Sequence, residues 1–143
     1  MPQTKDYESL KLKNQLCFPL YAASREILRK YTPLLKKLNL TYTQYIVMMV
    51  LWEQKTLTVG DLGKQLYLDT GTLSPLLKAM EEKNLLTRTR QSTDERVVTI
   101  SVTPQGEALR EQALSVPEEM GKCISLNSDE AKTLYTLLYK LLG

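Results

Sequence analysis

The chain of 143 residues contains no histidine and only two cysteines, Cys17 and Cys123. Without histidine it lacks the commonest general base, and the usual ligand sets of zinc sites cannot be assembled. The two cysteines lie far apart in the sequence, which in a cytoplasmic chain is typical of free thiols rather than of a structural disulfide. We therefore expect no metal site, no catalytic site and no cofactor.

Long hydrophobic segments are also absent. The longest unbroken apolar run, Tyr45 to Trp52, is far shorter than the roughly 20 residues that cross a bilayer. The first residues, Met1 to Asp6, have no basic region leading into an apolar segment, so they do not resemble a secretion signal. We expect a cytoplasmic protein with no membrane partner.

Neither sign of charge is in large excess. The net charge is +3, which by itself does not indicate a nucleic-acid partner, and the basic residues are not gathered in a tail. Any DNA-binding surface must therefore come from geometry. The length, with 43% hydrophobic and 24% charged residues, predicts one soluble domain over residues 1–143.

Apolar stripes at helical spacing occur near both ends of the chain. A first helix is predicted from about Tyr7 to Tyr31, with Pro33 ending or restarting it. Further helices are predicted over about 104–122, with a possible kink at Pro117, and from Ser128 onward. Because little of the domain is left to cover these stripes, we predict that about residues 7–38 and 104–142 are dimerisation helices. The alternative is ordinary packing within one chain.

The middle of the chain, about residues 43–102, has a different pattern. Thr43 is predicted to cap a buried helix over about 44–52. Two short helices follow, from Thr58 to about Leu66 and over about 72–83, joined by a turn at 68–71 that contains a glycine. A β-hairpin with arms at 85–90 and 97–102 comes next. The fold class is thus mainly α with a small β-hairpin, arranged as a winged helix-turn-helix DNA-binding domain.

The second helix of this pair begins with small hydroxyl residues, which can contact phosphates or base edges beside the free N–H groups of a helix N-terminus. Pro75, in its predicted first turn, offers an apolar surface to a thymine methyl group, and Lys78 can reach a phosphate. On the hairpin, Arg96 can enter a narrow minor groove, with Asp94 holding its guanidinium. Each feature alone also fits a capped helix or a surface salt bridge, but their joint occurrence is more specific. The candidate DNA-binding residues are Thr70, Thr72, Ser74, Pro75, Lys78, Arg88, Arg90, Asp94 and Arg96.

Several of these segments resemble a known family. The stretches 62–69, 71–78 and 94–96 resemble the MarR family of winged-helix regulators, and 14–26 and 40–45 are similar to its organic hydroperoxide-sensing branch, OhrR. The resemblance covers nearly the whole chain. It implies a homodimeric transcriptional repressor, not an enzyme, that binds a pseudo-palindromic double-stranded DNA operator and releases it when an organic peroxide oxidises a cysteine.

The resemblance assigns the reactive cysteine to Cys17 and its tyrosine partners, contributed across the dimer, to Tyr31 and Tyr42. Tyrosine hydroxyls can donate hydrogen bonds to a thiolate and favour it, and Tyr21, one helical turn from Cys17, can line the same pocket. We expect Cys17 to lie beyond the first turn of its helix, where the helix dipole contributes little.

Oxidation of a thiolate gives a sulfenic acid, which then condenses with another thiol. In two-cysteine members of the branch the second, resolving thiol comes from the other subunit. Cys123 lies near the usual position of that resolving cysteine in the sequence, displaced from it by about one residue. An intersubunit Cys17–Cys123 disulfide and resolution by a small thiol both stay open. Other hypotheses are a MarR-type regulator of a small phenolic ligand, a thiol peroxidase enzyme, and an architectural DNA-binding protein without a switch.

Overall fold

Seven α-helices and a three-stranded sheet form the part of the chain that the computed structural model describes, residues 5–143. Two short 3-10 turns, Glu8–Leu10 and Leu12–Asn14, precede the first α-helix. The elements in chain order are α1 (Cys17–Lys36), α2 (Tyr42–Gln54), β1 (Thr56–Thr58), α3 (Val59–Leu66), α4 (Thr70–Glu82), β2 (Leu86–Arg90), β3 (Val98–Val102), α5 (Pro104–Ala113), α6 (Ser115–Cys123) and α7 (Ser128–Leu142). The predicted two short helices and hairpin are present as α3, α4, β2 and β3.

Helix α1 begins ten residues later than predicted and ends later too. The backbone of Gln15 is extended, with φ −95° and ψ 120°, and the α-helix starts at Cys17. Pro19 therefore falls in the first turn, where its missing N–H has no helical partner to lose. The helix then continues through Pro33 to Lys36. The expectation that Cys17 lies beyond the first turn is wrong, because Cys17 is the first residue of the helix.

The N-terminus of α2 is set by a capping box. The Thr41 hydroxyl accepts from the backbone N–H of Gln44 at 3.2 Å, and the Gln44 side-chain oxygen accepts from the backbone N–H of Thr41 at 3.1 Å. The predicted cap at Thr43 is therefore wrong by two residues. The last helix begins at Ser128, as predicted, and the residue before it is its cap: the Asn127 side chain accepts from the backbone N–H of Glu130 at 2.9 Å, and the Glu130 side chain accepts from the backbone N–H of Asn127 at 3.0 Å.

Helix α4 also begins two residues before its predicted start. Asp69 accepts from the backbone N–H of Thr72 at 2.7 Å and so caps the helix at Thr70. Gly71 lies inside the helix, and the left-handed residue of the turn is Tyr67, with φ 57°. As a result, Pro75 lies in the second turn of α4 rather than in the first.

The sheet contains a strand that the sequence pattern did not predict. Strand β3 is central, with β2 on one side and the three-residue β1 on the other, and both pairings are antiparallel. Thr56 of β1 pairs with Ser101, and their hydroxyl oxygens lie 2.8 Å apart. A strand of three residues is too short for alternation to show, which explains the omission.

The core is formed mainly by α2 to β3. Met48, Leu51, Leu62 and Ile100 are fully buried there. On the C-terminal side, Pro117 has no N–H to donate to the carbonyl of Ala113, and the predicted single helix is divided at Leu114 into α5 and α6.

The terminal helices differ from this core. Among residues 5–143, α7 has no side chain that is buried within the single chain, although its leucines and tyrosines form an amphipathic stripe. Helix α1 buries only Leu35. Within the same range, no helix combines the length and the hydrophobicity that a bilayer crossing demands.

Candidate DNA-binding surface and redox site

Helix α4 separates its apolar side chains from the candidate DNA-binding residues. Leu73, Leu77 and Met80 are buried, whereas the five candidates on this helix are exposed. The Ser74 hydroxyl donates to the backbone carbonyl of Thr70 at 2.9 Å, which ties the Ser74 side chain to its own helix one turn earlier. A hydrogen bond from the backbone N–H of Thr72 holds the pKa of Asp69 below its ordinary value, so the cap stays ionised at neutral pH. The exposed candidates are Thr70, Thr72, Ser74, Pro75 and Lys78.

Two of the three hairpin arginines, Arg90 and Arg96, are exposed. Arg96 is 92% exposed, and Asp94 accepts both from its backbone N–H at 3.0 Å and from its Nε at 3.3 Å. Arg90 donates to the carbonyl of Glu95 at 2.8 Å, which closes the hairpin tip. The tip therefore presents an oriented but solvent-exposed arginine.

Arg88 has a different environment. Its guanidinium donates to Glu81 of α4 at 3.1 Å, and its backbone N–H donates to the other oxygen of the same carboxylate at 3.0 Å. These hydrogen bonds hold the pKa of Glu81 below its ordinary value. Arg88 thus braces the hairpin against α4, and a cleft of about 330 Å³ between them is lined by Arg88, Arg90, Arg96, Thr70 and Ser74 among others.

Cys17 is exposed at the N-terminal end of α1. The unpaired N–H groups of a first helical turn favour negative charge, here at the end that carries the thiol. One turn on, Tyr21 accepts a hydrogen bond from Arg25 at 3.2 Å, so its own hydroxyl proton stays available to another acceptor.

The two other predicted sensor tyrosines form an aromatic cluster. The ring centroids of Tyr31 and Tyr42 lie 4.8 Å apart, and Tyr45 lies 5.9 Å and 6.3 Å from them. Burial raises the pKa of all three phenols above 10.0, and the neighbouring phenols add to the effect for Tyr31 and Tyr45. The hydroxyl groups therefore keep their protons and remain hydrogen-bond donors at neutral and mildly alkaline pH.

Cys17 and this cluster lie at opposite ends of α1 in one chain. Tyr31 follows Cys17 by fourteen residues, a rise of about 21 Å along the helix axis. Cys123 is exposed at the end of α6, and its carbonyl accepts from the Lys30 ammonium at 3.1 Å. Cys123 is thus anchored beside the residue that precedes Tyr31, at the tyrosine end of α1.

Sequence reasoning missed three residues of these surfaces. Tyr45 lies one helical turn after Tyr42, within the stretch 40–45 that is similar to the OhrR branch. Helical spacing could therefore have indicated that Tyr45 lies beside Tyr42. Glu81 and Lys83 had no such signal. Glu81 accepts from Arg88 of the hairpin, and Lys83, which lines a cavity with Tyr31 and Tyr42, donates to Asn39 and Gln44, so both depend on how α4 packs. Among residues 5–143, no cluster of three or more potential metal ligands is present.

Comparison with known proteins identifies the chain. Residues 29–112 match the family model described as transcriptional regulator SarA/Rot. The chain is 49% identical over 136 residues to the organic hydroperoxide resistance transcriptional regulator of Bacillus subtilis, with 95% of the chain and 92% of the relative covered. The chain belongs to this family of transcriptional regulators.

Solved structures extend the likeness to the MarR type. The disulfide-formed AbfR of Staphylococcus epidermidis superposes with a TM-score of 0.66 at 34% identity, covering 95% of this chain and 96% of the other. A mutant MarR from Escherichia coli complexed with operator DNA gives a TM-score of 0.79 at 26% identity, covering 97% and 100%. The predicted MarR-type winged-helix fold of this regulator is confirmed.

Proposed function

We propose that this regulator is a homodimeric repressor that binds a pseudo-palindromic DNA operator through α4 and the hairpin. The observation that carries the proposal is the exposed row of hydroxyl groups at the start of α4 beside the exposed Arg96. Hydroxyls and free N–H groups at a helix N-terminus suit phosphates and base edges, and an arginine suits a narrow minor groove. The MarR neighbour complexed with operator DNA supports this arrangement.

The switch in this proposal is the oxidation of Cys17 by an organic hydroperoxide. The thiolate attacks one peroxide oxygen, the O–O bond breaks, and the alkoxide leaves and takes up a proton to become an alcohol. The product is a sulfenic acid at Cys17. The exposed thiol, the first helical turn around it and the name of the Bacillus subtilis relative support this step.

We further propose that Cys123 of the second subunit resolves the sulfenic acid. Its thiolate attacks the Cys17 sulfur, an S–S bond forms, and hydroxide leaves and is protonated to water. Because Cys123 and Tyr31 share one end of α1 and Cys17 occupies the other, a partner chain that brings its tyrosine cluster to Cys17 also brings its Cys123. The disulfide-formed AbfR neighbour supports this pairing.

Release of DNA follows from the position of the thiols on the terminal helices. In our proposal residues 7–38 and 104–142 form the dimer interface, so a bond across it shifts one subunit relative to the other. The two copies of α4 then lose the separation of about 34–36 Å that matches adjacent half-sites of an operator.

The experiment uses a duplex that the reduced wild-type protein selects from a random-sequence DNA library. We expect cumene hydroperoxide to abolish the gel shift of this duplex with wild type and to leave it intact with Cys17→Ser. If the serine variant also releases DNA on oxidation, Cys17 is not the switch. Release by a small phenol without any thiol requirement would favour the ligand-responsive alternative.

Non-reducing gel electrophoresis tests the resolving thiol separately. Oxidised wild type is expected to run as a covalent dimer, and Cys123→Ser is expected to run as a monomer that carries a trappable sulfenic acid. A monomer band for oxidised wild type would overturn the disulfide and leave the sulfenic acid step standing. Turnover of peroxide with a dithiol by a protein that binds no DNA would instead indicate an enzyme.

A further inference from the structure

Lys83, at the C-terminal end of α4, connects this helix to the segment that carries Tyr42. Its ammonium donates to the carbonyl oxygen of Asn39 at 2.7 Å and to the side-chain oxygen of Gln44 at 3.0 Å. Asn39 lies in the turn between α1 and α2, and Gln44 lies in the first turn of α2. The Lys83 side chain therefore bonds one residue that precedes Tyr42 in the sequence and one that follows it.

The acceptor of this contact is itself fixed in place. Gln44 is only 6% exposed, and its side-chain oxygen already accepts from the backbone N–H of Thr41 in the capping box. The bond from Lys83 supplies the second partner that an amide oxygen can take. A displacement of the α2 N-terminus therefore carries the acceptor of Lys83 with it.

Lys83 also borders the space beside the sensor tyrosines. A cavity of about 340 Å³ is lined by Tyr31, Tyr42 and Lys83, together with apolar side chains of α1. The ring of Tyr42 packs on Tyr31 here, so a group that enters this space from a partner subunit meets the start of α2. Lys83 is thus the point where α4 meets the proposed redox site.

The kind of contact matters for transmission. The remaining core between α2 and α4 is apolar, and apolar contacts are non-directional. Hydrogen bonds depend steeply on distance and angle, so two of them from one ammonium fix the direction of a displacement. Lys83 follows the last residue of α4, and its backbone N–H donates to Ala79 at 3.2 Å, so its position and that of the helix are coupled.

We propose that Lys83 is a positioning residue that transmits a displacement of the Tyr42 segment to α4, and so couples oxidation of Cys17 to release of DNA. This inference rests on the proposed function. Lys83 follows Thr70 by thirteen residues, about 20 Å along the helix axis. It acts through α4 rather than by touching DNA.

The test compares Lys83→Met, which keeps the length of the side chain and removes its donors, with Lys83→Arg, which restores them. Lys37→Met is the matched control, because Lys37 is exposed on the turn that also carries Asn39 and does not line the cavity. The first measurement is the rate at which cumene hydroperoxide oxidises Cys17, followed by intact mass. The second is the ratio of dissociation constants, oxidised over reduced, for the duplex selected from the random-sequence library.

Wild type, Lys83→Arg and Lys37→Met are expected to show a ratio of about 5–150, the usual range of coupling between sites. Lys83→Met is expected to oxidise at the wild-type rate and to bind DNA normally when reduced, but its ratio falls below about 5. A wild-type ratio in Lys83→Met overturns the inference and leaves the proposed function intact. A wild type that keeps its DNA after Cys17 is oxidised overturns both.

If Lys83→Met does not fold properly, Lys83→Gln takes its place. Amide hydrogen exchange then gives a second measurement of the displacement. Exchange in residues 70–82 is expected to change on oxidation in wild type and to stay constant in whichever variant melts like wild type. If exchange in this helix changes equally in wild type and in that variant, Lys83 does not transmit the displacement.

Discussion

The winged-helix region, residues 42–102, and the terminal helices use apolar residues in different ways. In the first region the apolar side chains of α2, α3, α4 and the sheet are mostly buried within one chain. In α1 and α7 they lie on stripes, and many stay exposed, such as Leu20, Tyr135 and Leu141. The winged helix can therefore order its own core, whereas the terminal helices expose an apolar surface that a second copy of the chain would cover. Substitutions in the two regions should accordingly respond differently to protein concentration.

The largest effect is expected in the winged-helix core. Leu51→Ala leaves a cavity at a fully buried position and should lower the free energy of unfolding by about 2–5 kcal/mol. Chemical denaturation should show the same loss at low and high protein concentration. Leu51→Met, which nearly conserves volume, is the control and should cost less than about 1.5 kcal/mol.

A pair of glycine substitutions makes the same chemical change at one position of α5 that packs against the winged-helix region and at one position of α6 that packs against nothing in the chain. At Gly106, an added Cβ would overlap the carbonyl oxygen of Leu85, and the Gly106 carbonyl accepts from Trp52 Nε1 at 2.9 Å. Gly106→Ala should therefore destabilise the chain by about 1–3 kcal/mol. At Gly121 in α6 an added Cβ meets nothing within 4 Å, so Gly121→Ala should stabilise by about 0.5–1 kcal/mol. Thermal melts of the two variants that shift in the same direction would contradict this contrast.

The proposed dimer is tested on α7. Leu134 is 45% exposed in one chain, and covering it in an interface is worth about 1 kcal/mol per subunit. Leu134→Ala should weaken the dimer by tenfold or more in sedimentation equilibrium, with a melting temperature that depends on concentration. If its melting temperature is shifted equally at all concentrations, Leu134 packs within its own chain.

The smallest effect is expected at the brace between the hairpin and α4. Hydrogen bonds from Arg88 lower the pKa of Glu81 below its ordinary value of 4.5. The pair therefore stabilises the fold above about this pH, and its contribution is lost as the pH falls through the lower folded value. Glu81→Gln should cost about 0–1 kcal/mol at pH 7, and the difference from wild type should shrink in acid. A difference that is constant between pH 7 and pH 3 would show that the carboxylate charge is not involved.

Much of the winged helix could be predicted from local patterns. Helix α3 begins directly after Thr58, where its start was predicted, because Thr58 caps it, and α5 begins at Pro104, as predicted, because a proline fits the first helical position. The candidate residues on α4 are exposed because the apolar residues of the same helix fix which face is buried. The start of α1 was predicted too early, because the apolar residues at helical spacing continue upstream of Pro19. Pro19 itself favoured a start near Cys17, since proline fits the first turn of a helix.

The sequence by itself determined the family, the order of the main elements and the candidate residues, since those depend on short motifs and on periodicity. The tertiary structure decided which of these side chains meet. It placed Cys123 beside Lys30, engaged Arg88 with Glu81, and brought Lys83 against Asn39 and Gln44. The last two contacts fix how α4 meets the hairpin and the start of α2. Such contacts join positions that only the packing of the elements brings together, so no local sequence pattern could predict them.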